Sequence, residues 1–164
     1  MIEQLRQIID GVIDREGGYV DPSADGGGPT MYGITESVAR ASGYFGPMDE
    51  MPRAVAEGIY HDQYIKQPGF GRIIPMSERI ATEVIDTAVN MGPAIAGSFL
   101  QRSLNCLNRE GRTYGDIPVD GLCGPQTRGA LRACLDSRPN AEHLVLVTLN
   151  GLQLARYVEI VEAS

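Results

Sequence analysis

The 164-residue chain has no tryptophan, only two histidines and only three cysteines. The histidines, His61 and His143, stand apart in the sequence, so no metal-ligand spacing and no Ser/His nucleophile pairing can be built on them. Cys106, Cys123 and Cys134 are odd in number and widely spaced. They fit no metal pattern, and at most one pair could bridge; the expectation is free thiols in helix-packing positions, in a chain made in a reducing compartment. Basic side chains are few, 14 against 21 acidic ones, for a formal net charge of -7. That excludes nucleic acid as a main ligand, because phosphate binding wants a basic face. It also opposes bulk electrostatic adsorption to anionic surfaces. No apolar run approaches the ~20 residues needed to span a bilayer, so no stable membrane association is expected. The N-terminus lacks a basic segment followed by an apolar core, so it reads as no signal peptide and the product as cytoplasmic at synthesis. Internal repeats, low-complexity tracts and long linkers are missing too. No pattern calls for a cofactor.

What is present is helix periodicity. Ile2, Leu5, Ile9, Val12 and Ile13 recur at steps of three and four, one face of an amphipathic helix. One more step along that face lands on Glu16, a carboxylate where an apolar residue should be. Gly17 and Gly18 then end the helix, the usual exit into a left-handed conformation. A carboxyl held toward the protein body there would be partly desolvated. Desolvation disfavours the charged form, as a general acid working near neutral pH requires. The competing reading is a carboxylate paired with an Arg or frayed into solvent. From Gly17 to Thr35 the chain is turn-rich, with Pro22, Asp25-Gly26-Gly27-Gly28 and Pro29. A short hairpin could sit within it, with Thr30-Met31-Tyr32 as one arm. Asp25 has a turn-forming role open to it, through its side chain bonding to nearby backbone.

The run Glu16-Gly17-Gly18-Tyr19, with Pro22, Asp25, Thr30 and Tyr32-Gly33-Ile34-Thr35, resembles the N-terminal signature of the glycoside hydrolase 108 family. These are peptidoglycan-cleaving muramidases of phage endolysins and bacterial secretion-helper lysozymes. Asp86-Thr87-Ala88-Val89-Asn90-Met91-Gly92 is similar to the family's second block. Leu100-Gln101-Arg102 and Val119-Asp120-Gly121-Leu122-Cys123-Gly124-Pro125-Gln126-Thr127 resemble the associated C-terminal peptidoglycan-domain pattern. The resemblance implies that Glu16 is the catalytic acid. Its spacing is also similar to that of phage-type lysozymes: eight residues separate Glu16 from Asp25, and four separate Asp25 from Thr30, one short of their pattern. Asp25 and Thr30 then complete the catalytic set, with Thr35 the rival to Thr30. Tyr19, Tyr32, Thr35, Tyr64, Asp86 and Asn90 are the implied substrate contacts, and peptidoglycan glycan strands the implied partner. A wall-active enzyme made without a leader implies a holin or another export partner to reach the periplasm. Two readings compete: a lytic transglycosylase with the same Glu, and a non-catalytic wall-binding or secretion-helper protein.

Further along, Thr35 is a good N-cap for a short helix over 36–40, and Pro52 suits the first turn of another carrying Val55, Ile59 and Tyr60. Tyr60 and Tyr64, four apart, should share a face, either as core packing or as sugar-stacking rings. Ser77 caps a helix whose Asp86 and Asn90 project together. Pro93 and Pro125 open two more. The last helix, from about Ala141 to Val161, is apolar over more than one face, which predicts a central place in the fold. The expected class is mainly α, lysozyme-like, a monomer of two helical lobes with a Gly-rich cleft loop or short hairpin. Residues 1–92 would form the catalytic lobe, and 93–164 a peptidoglycan-binding-type lobe packed on it.

Overall fold

The first helix, α1 (Glu3–Glu16), buries Leu5, Ile9, Val12 and Ile13, the stripe its periodicity announces. It ends at Gly17, whose φ of 78° is left-handed and whose N–H reaches Ile13 O at 3.3 Å. The computed structural model describes residues 3–21 and 28–163. A minimal hairpin follows: β1 (Thr30–Met31) pairs antiparallel with β2 (Ile34–Thr35), with Thr30 opposite Thr35 and Met31 opposite Ile34. Val20 and Thr30 exchange two backbone hydrogen bonds, 2.8 and 3.0 Å, so the chain leaving α1 runs antiparallel onto the outer side of β1. Tyr32 and Gly33 form the two-residue turn. Both have positive φ, 53° and 73°, the pairing of a type I′ hairpin turn. Tyr32 therefore belongs to the turn and not to the arm in which the sequence reading put it.

Thr35 does cap α2 (Glu36–Ala41): its Oγ1 accepts from Val38 N at 3.3 Å. α3 (Arg53–His61) starts after Pro52 and packs on α1. It runs into a wider π-type turn over Asp62–Lys66. The chain divides into two compact units, residues 1–63 and 64–164; Tyr60 and Tyr64 fall on opposite sides of that division.

In the second unit, Ser77 Oγ accepts from Ile80 N at 3.1 Å and opens α4 (Glu78–Met91). Gly92 at φ 94° turns the chain directly into α5 (Pro93–Leu107). α6 (Pro125–Asp136) and α7 (Ala141–Glu162) complete the unit. Its core is Phe70, Ile73, Ile80, Val84, Ile85, Leu100, Leu104, Leu131 and Leu149, all essentially without exposure. Each such side chain contributes about 1.5–3 kcal/mol by leaving water.

The mainly α class with its small hairpin is thus what the chain adopts. α7 departs from expectation. Its first half packs through Val145, Leu146 and Leu149, but from Leu154 onward every described residue is exposed. Its first half is central, packed on α4, α5 and α6, and its second half outruns those supports. By length and composition it is apolar enough to cross a membrane, contrary to the reading that no such run exists, and only 11% of its most apolar window is buried.

Candidate functional site

Glu16 is the last residue of α1, and its side chain is exposed, not turned into the protein body as its place in the apolar stripe suggested. The reason is local. The helix is in its final turn, and Gly17 follows in the left-handed region. What the carboxylate does have is a floor. Gly33, the second turn residue, lies directly against it. A Cβ at Gly33 would stand 2.8 Å from Glu16 Oε2 and 2.9 Å from its Cγ. Two constraints therefore demand glycine at 33, a φ of 73° and this approach.

The supports of this arrangement come from α3. Arg53 donates to Asp14 Oδ1 at 2.7 Å and to Asp10 Oδ1 at 2.9 Å, and it also pairs with Glu57 at 3.3 Å. The hydrogen bond it donates to Asp14 and then the one to Asp10 hold its guanidinium above its ordinary value, so it stays a cation at every working pH. At the other end of α3, the buried Tyr60 donates its hydroxyl to Tyr32 O at 2.7 Å. Periodicity carried no signal for either role. Arg53 reads as an ordinary first-turn residue and Tyr60 as part of an apolar stripe.

The remaining expected site residues are distributed as follows. Tyr19 is 44% exposed beside Asp21; partial desolvation, then the Asp21 charge, raise its phenol above the usual value. Thr30 Oγ1 donates to Val20 O at 3.4 Å, and Thr35 is occupied as the cap of α2, with Ser37 Oγ 3.0 Å from its hydroxyl. The first unit thus gathers Glu16, Tyr19, Thr30, Tyr32 and Thr35 on one helix end and the loop-hairpin that follows it. Asp25 lies outside the described residues. Tyr64, Asp86 and Asn90 belong to the second unit. There Asn90 Nδ2 donates to Asp86 O at 2.9 Å and to Asp86 Oδ2 at 3.2 Å, so the two do project together.

The Asp120-Gly121 block of the second unit folds inward on Gln101, which is 1% exposed. Gln101 Nε2 donates to Asp120 Oδ1 (2.6 Å), Leu122 O (2.9 Å) and Thr127 Oγ1 (3.1 Å), while its Oε1 accepts from Gly121 N at 2.8 Å. Every polar atom of that amide group is engaged. The signal for this was visible in principle: a glutamine on the inward face of α5, beside Leu100 and Leu104.

The chain belongs to the glycosyl hydrolase 108 family, whose model matches residues 9–92; a Predicted Peptidoglycan domain matches residues 95–164. The fold is similar to that of SagA from Brucella abortus, with a TM-score of 0.58 and 23% identity over 93% of this chain and 79% of that one. No curated protein matches in sequence.

Proposed function

We propose that the protein is an N-acetylmuramidase that cleaves the MurNAc-GlcNAc bond of peptidoglycan with Glu16 as general acid. Membership of a glycoside hydrolase family and the peptidoglycan domain support the substrate class. The observation that carries the residue assignment is the contact of Glu16 with Gly33. It puts an accessible carboxyl, fixed at a helix end, on a backbone surface that has no side chain to obstruct an approaching sugar.

Glycoside hydrolysis asks for an acid that protonates the leaving oxygen and a second group that stabilises or traps the oxocarbenium-like centre. Glu16 is open to solvent in the free protein. The desolvation an acid needs would be supplied by the bound glycan covering it, and not by the protein interior. Asp25 takes the second role, orienting water or stabilising positive charge. Thr30 is better suited than Thr35 to hold that water. The Thr30 hydroxyl spends its proton on Val20 O and keeps its lone pairs, whereas Thr35 already accepts from the backbone of α2. Tyr19 and Tyr32 offer ring faces beside Glu16 in sequence and turn. In the second unit, Tyr64, Asp86 and Asn90 are the candidate sugar contacts. Residues 93–164 are the proposed wall-binding part. The protein would act outside the cytoplasm, as a monomer, after export by a holin or equivalent route.

The test is peptide-stripped peptidoglycan incubated with wild type and with Glu16→Gln, followed by mass analysis of the soluble products. Reducing-end muramic acid from the wild type, lowered at least ~10²-fold in the variant, is the expected result, as loss of a general acid predicts. Anhydro products would make it a transglycosylase and leave Asp25 without a role. Equal turnover by both proteins would remove Glu16 from the mechanism.

A further inference from the structure

We propose that Tyr60 is a positioning residue for Glu16, acting through the hairpin turn; this rests on the reading of Glu16 as the general acid. The Tyr60 ring is 6% exposed, anchored in the core of the first unit, so its hydroxyl has a fixed position. That hydroxyl bonds Tyr32 O at 2.7 Å. The carbonyl belongs to the peptide that joins Tyr32 to Gly33, so holding it sets the plane of the peptide leading into Gly33. Gly33 is in turn the surface on which the Glu16 carboxylate and its Cγ rest.

The turn needs such a hold. Tyr32 sits at φ 53°, a left-handed conformation that a residue with a Cβ adopts only under constraint. In a two-residue hairpin the inter-strand hydrogen bonds fix the flanking residues, here Met31 and Ile34, while the turn's own first carbonyl points away from the ladder. Tyr60 supplies the missing partner. The same helix grips the other side of the site. Arg53, at the start of α3, binds Asp14 and Asp10 on the helix that ends in Glu16. α3 therefore holds both the carboxylate's helix and the carboxylate's floor, one with each end. The hydroxyl of Tyr60 acts through the Tyr32 carbonyl and the turn, and so fixes where the acid stands.

The test compares kcat and KM on a soluble peptide-stripped glycan strand for wild type, Tyr60→Phe, a variant with para-aminophenylalanine at 60, and Glu16→Gln. Tyr60→Phe keeps the ring and removes the donor. A displacement of the acid of about 1 Å costs on the order of 10²-fold, so a fall in kcat of roughly 10- to 100-fold is expected, with KM within about twofold. The para-amino group restores a donor at the ring's far end and is expected to recover most of kcat, an effect that core packing alone would not produce. Wild-type kcat in Tyr60→Phe, no recovery with the amino variant, or loss of the fold in Tyr60→Phe by circular dichroism would each overturn the proposal. If Glu16→Gln is inactive and Tyr60→Phe is not impaired, only the positioning role falls. If Glu16→Gln keeps full turnover, the general-acid reading falls first.

Discussion

Asp120 accepts two hydrogen bonds through one oxygen, from Gln101 Nε2 at 2.6 Å and from Leu122 N at 2.9 Å. The Gln101 bond, then the backbone bond, hold this carboxyl below the usual Asp range. A depressed folded value means that the charged form is the one folding favours. The contribution is complete above the unfolded value of ~3.9 and disappears as pH falls through the lower, folded one. Asp120→Asn should therefore lower the melting temperature near pH 7, and the gap to wild type should close as the pH is taken below ~4. A gap that persists at pH 2 would mean that the side chain acts through shape and not charge. Residues of this kind show where reading a sequence stops. Glu16 was legible because a carboxylate interrupted an apolar stripe, but its exposure was not, since periodicity gives a direction and not the presence of a neighbour. Tyr32 looked like part of a strand arm, and only the positive φ values at Tyr32 and Gly33 reveal the turn.

Among the elements, α5 and the segment that leads into α6 approach each other backbone to backbone. A Cβ on Gly97 would lie 1.9 Å from Gly121 O, and one on Gly121 would lie 2.7 Å from Ala94 O. The backbones touch, and Gln101 seals the contact with four hydrogen bonds, all in or near the core. Truncation to Ala would leave Gly121 N and other buried groups unsatisfied. Gln101→Ala is expected to lower unfolding stability by roughly 3 kcal/mol, read as a shifted urea midpoint with an unchanged slope. A loss under about 0.5 kcal/mol, the range of surface substitutions, would mean that water replaces the amide at no cost. The helices themselves were well marked. Ser77, Pro93 and Pro125 sit where the sequence rules for helix starts put them, because capping is local chemistry. The π-type turn over Asp62–Lys66 was not, since widening by one residue leaves no compositional mark.

At the scale of the whole chain, all three cysteines lie in the second unit, so they report on that unit alone. Cys106 is exposed; Cys123 and Cys134 are buried, and burial pushes the Cys123 thiol up to about 11. Alkylation at pH 7.5 should mark one thiol quickly and the other two only on unfolding, as mass spectrometry would count. Two fast equivalents would show that the unit opens without unfolding. The second half of α7 is where whole-chain reasoning from sequence failed. An apolar helix wants cover on several faces, but the pattern does not say whether the chain supplies it. Leu154, Tyr157, Val158 and Val161 follow one another at steps of three, one and three along one side of the helix, each 46% exposed or more. This has a colloidal consequence. At neutral pH a net charge of -7 keeps copies of the molecule apart at long range. Near the isoelectric pH of about 4.8 that repulsion vanishes while the apolar ridge remains. Mild acid would bring the protein out of solution ridge first, and a strongly excluded salt such as sulfate would add to that precipitation by strengthening apolar association.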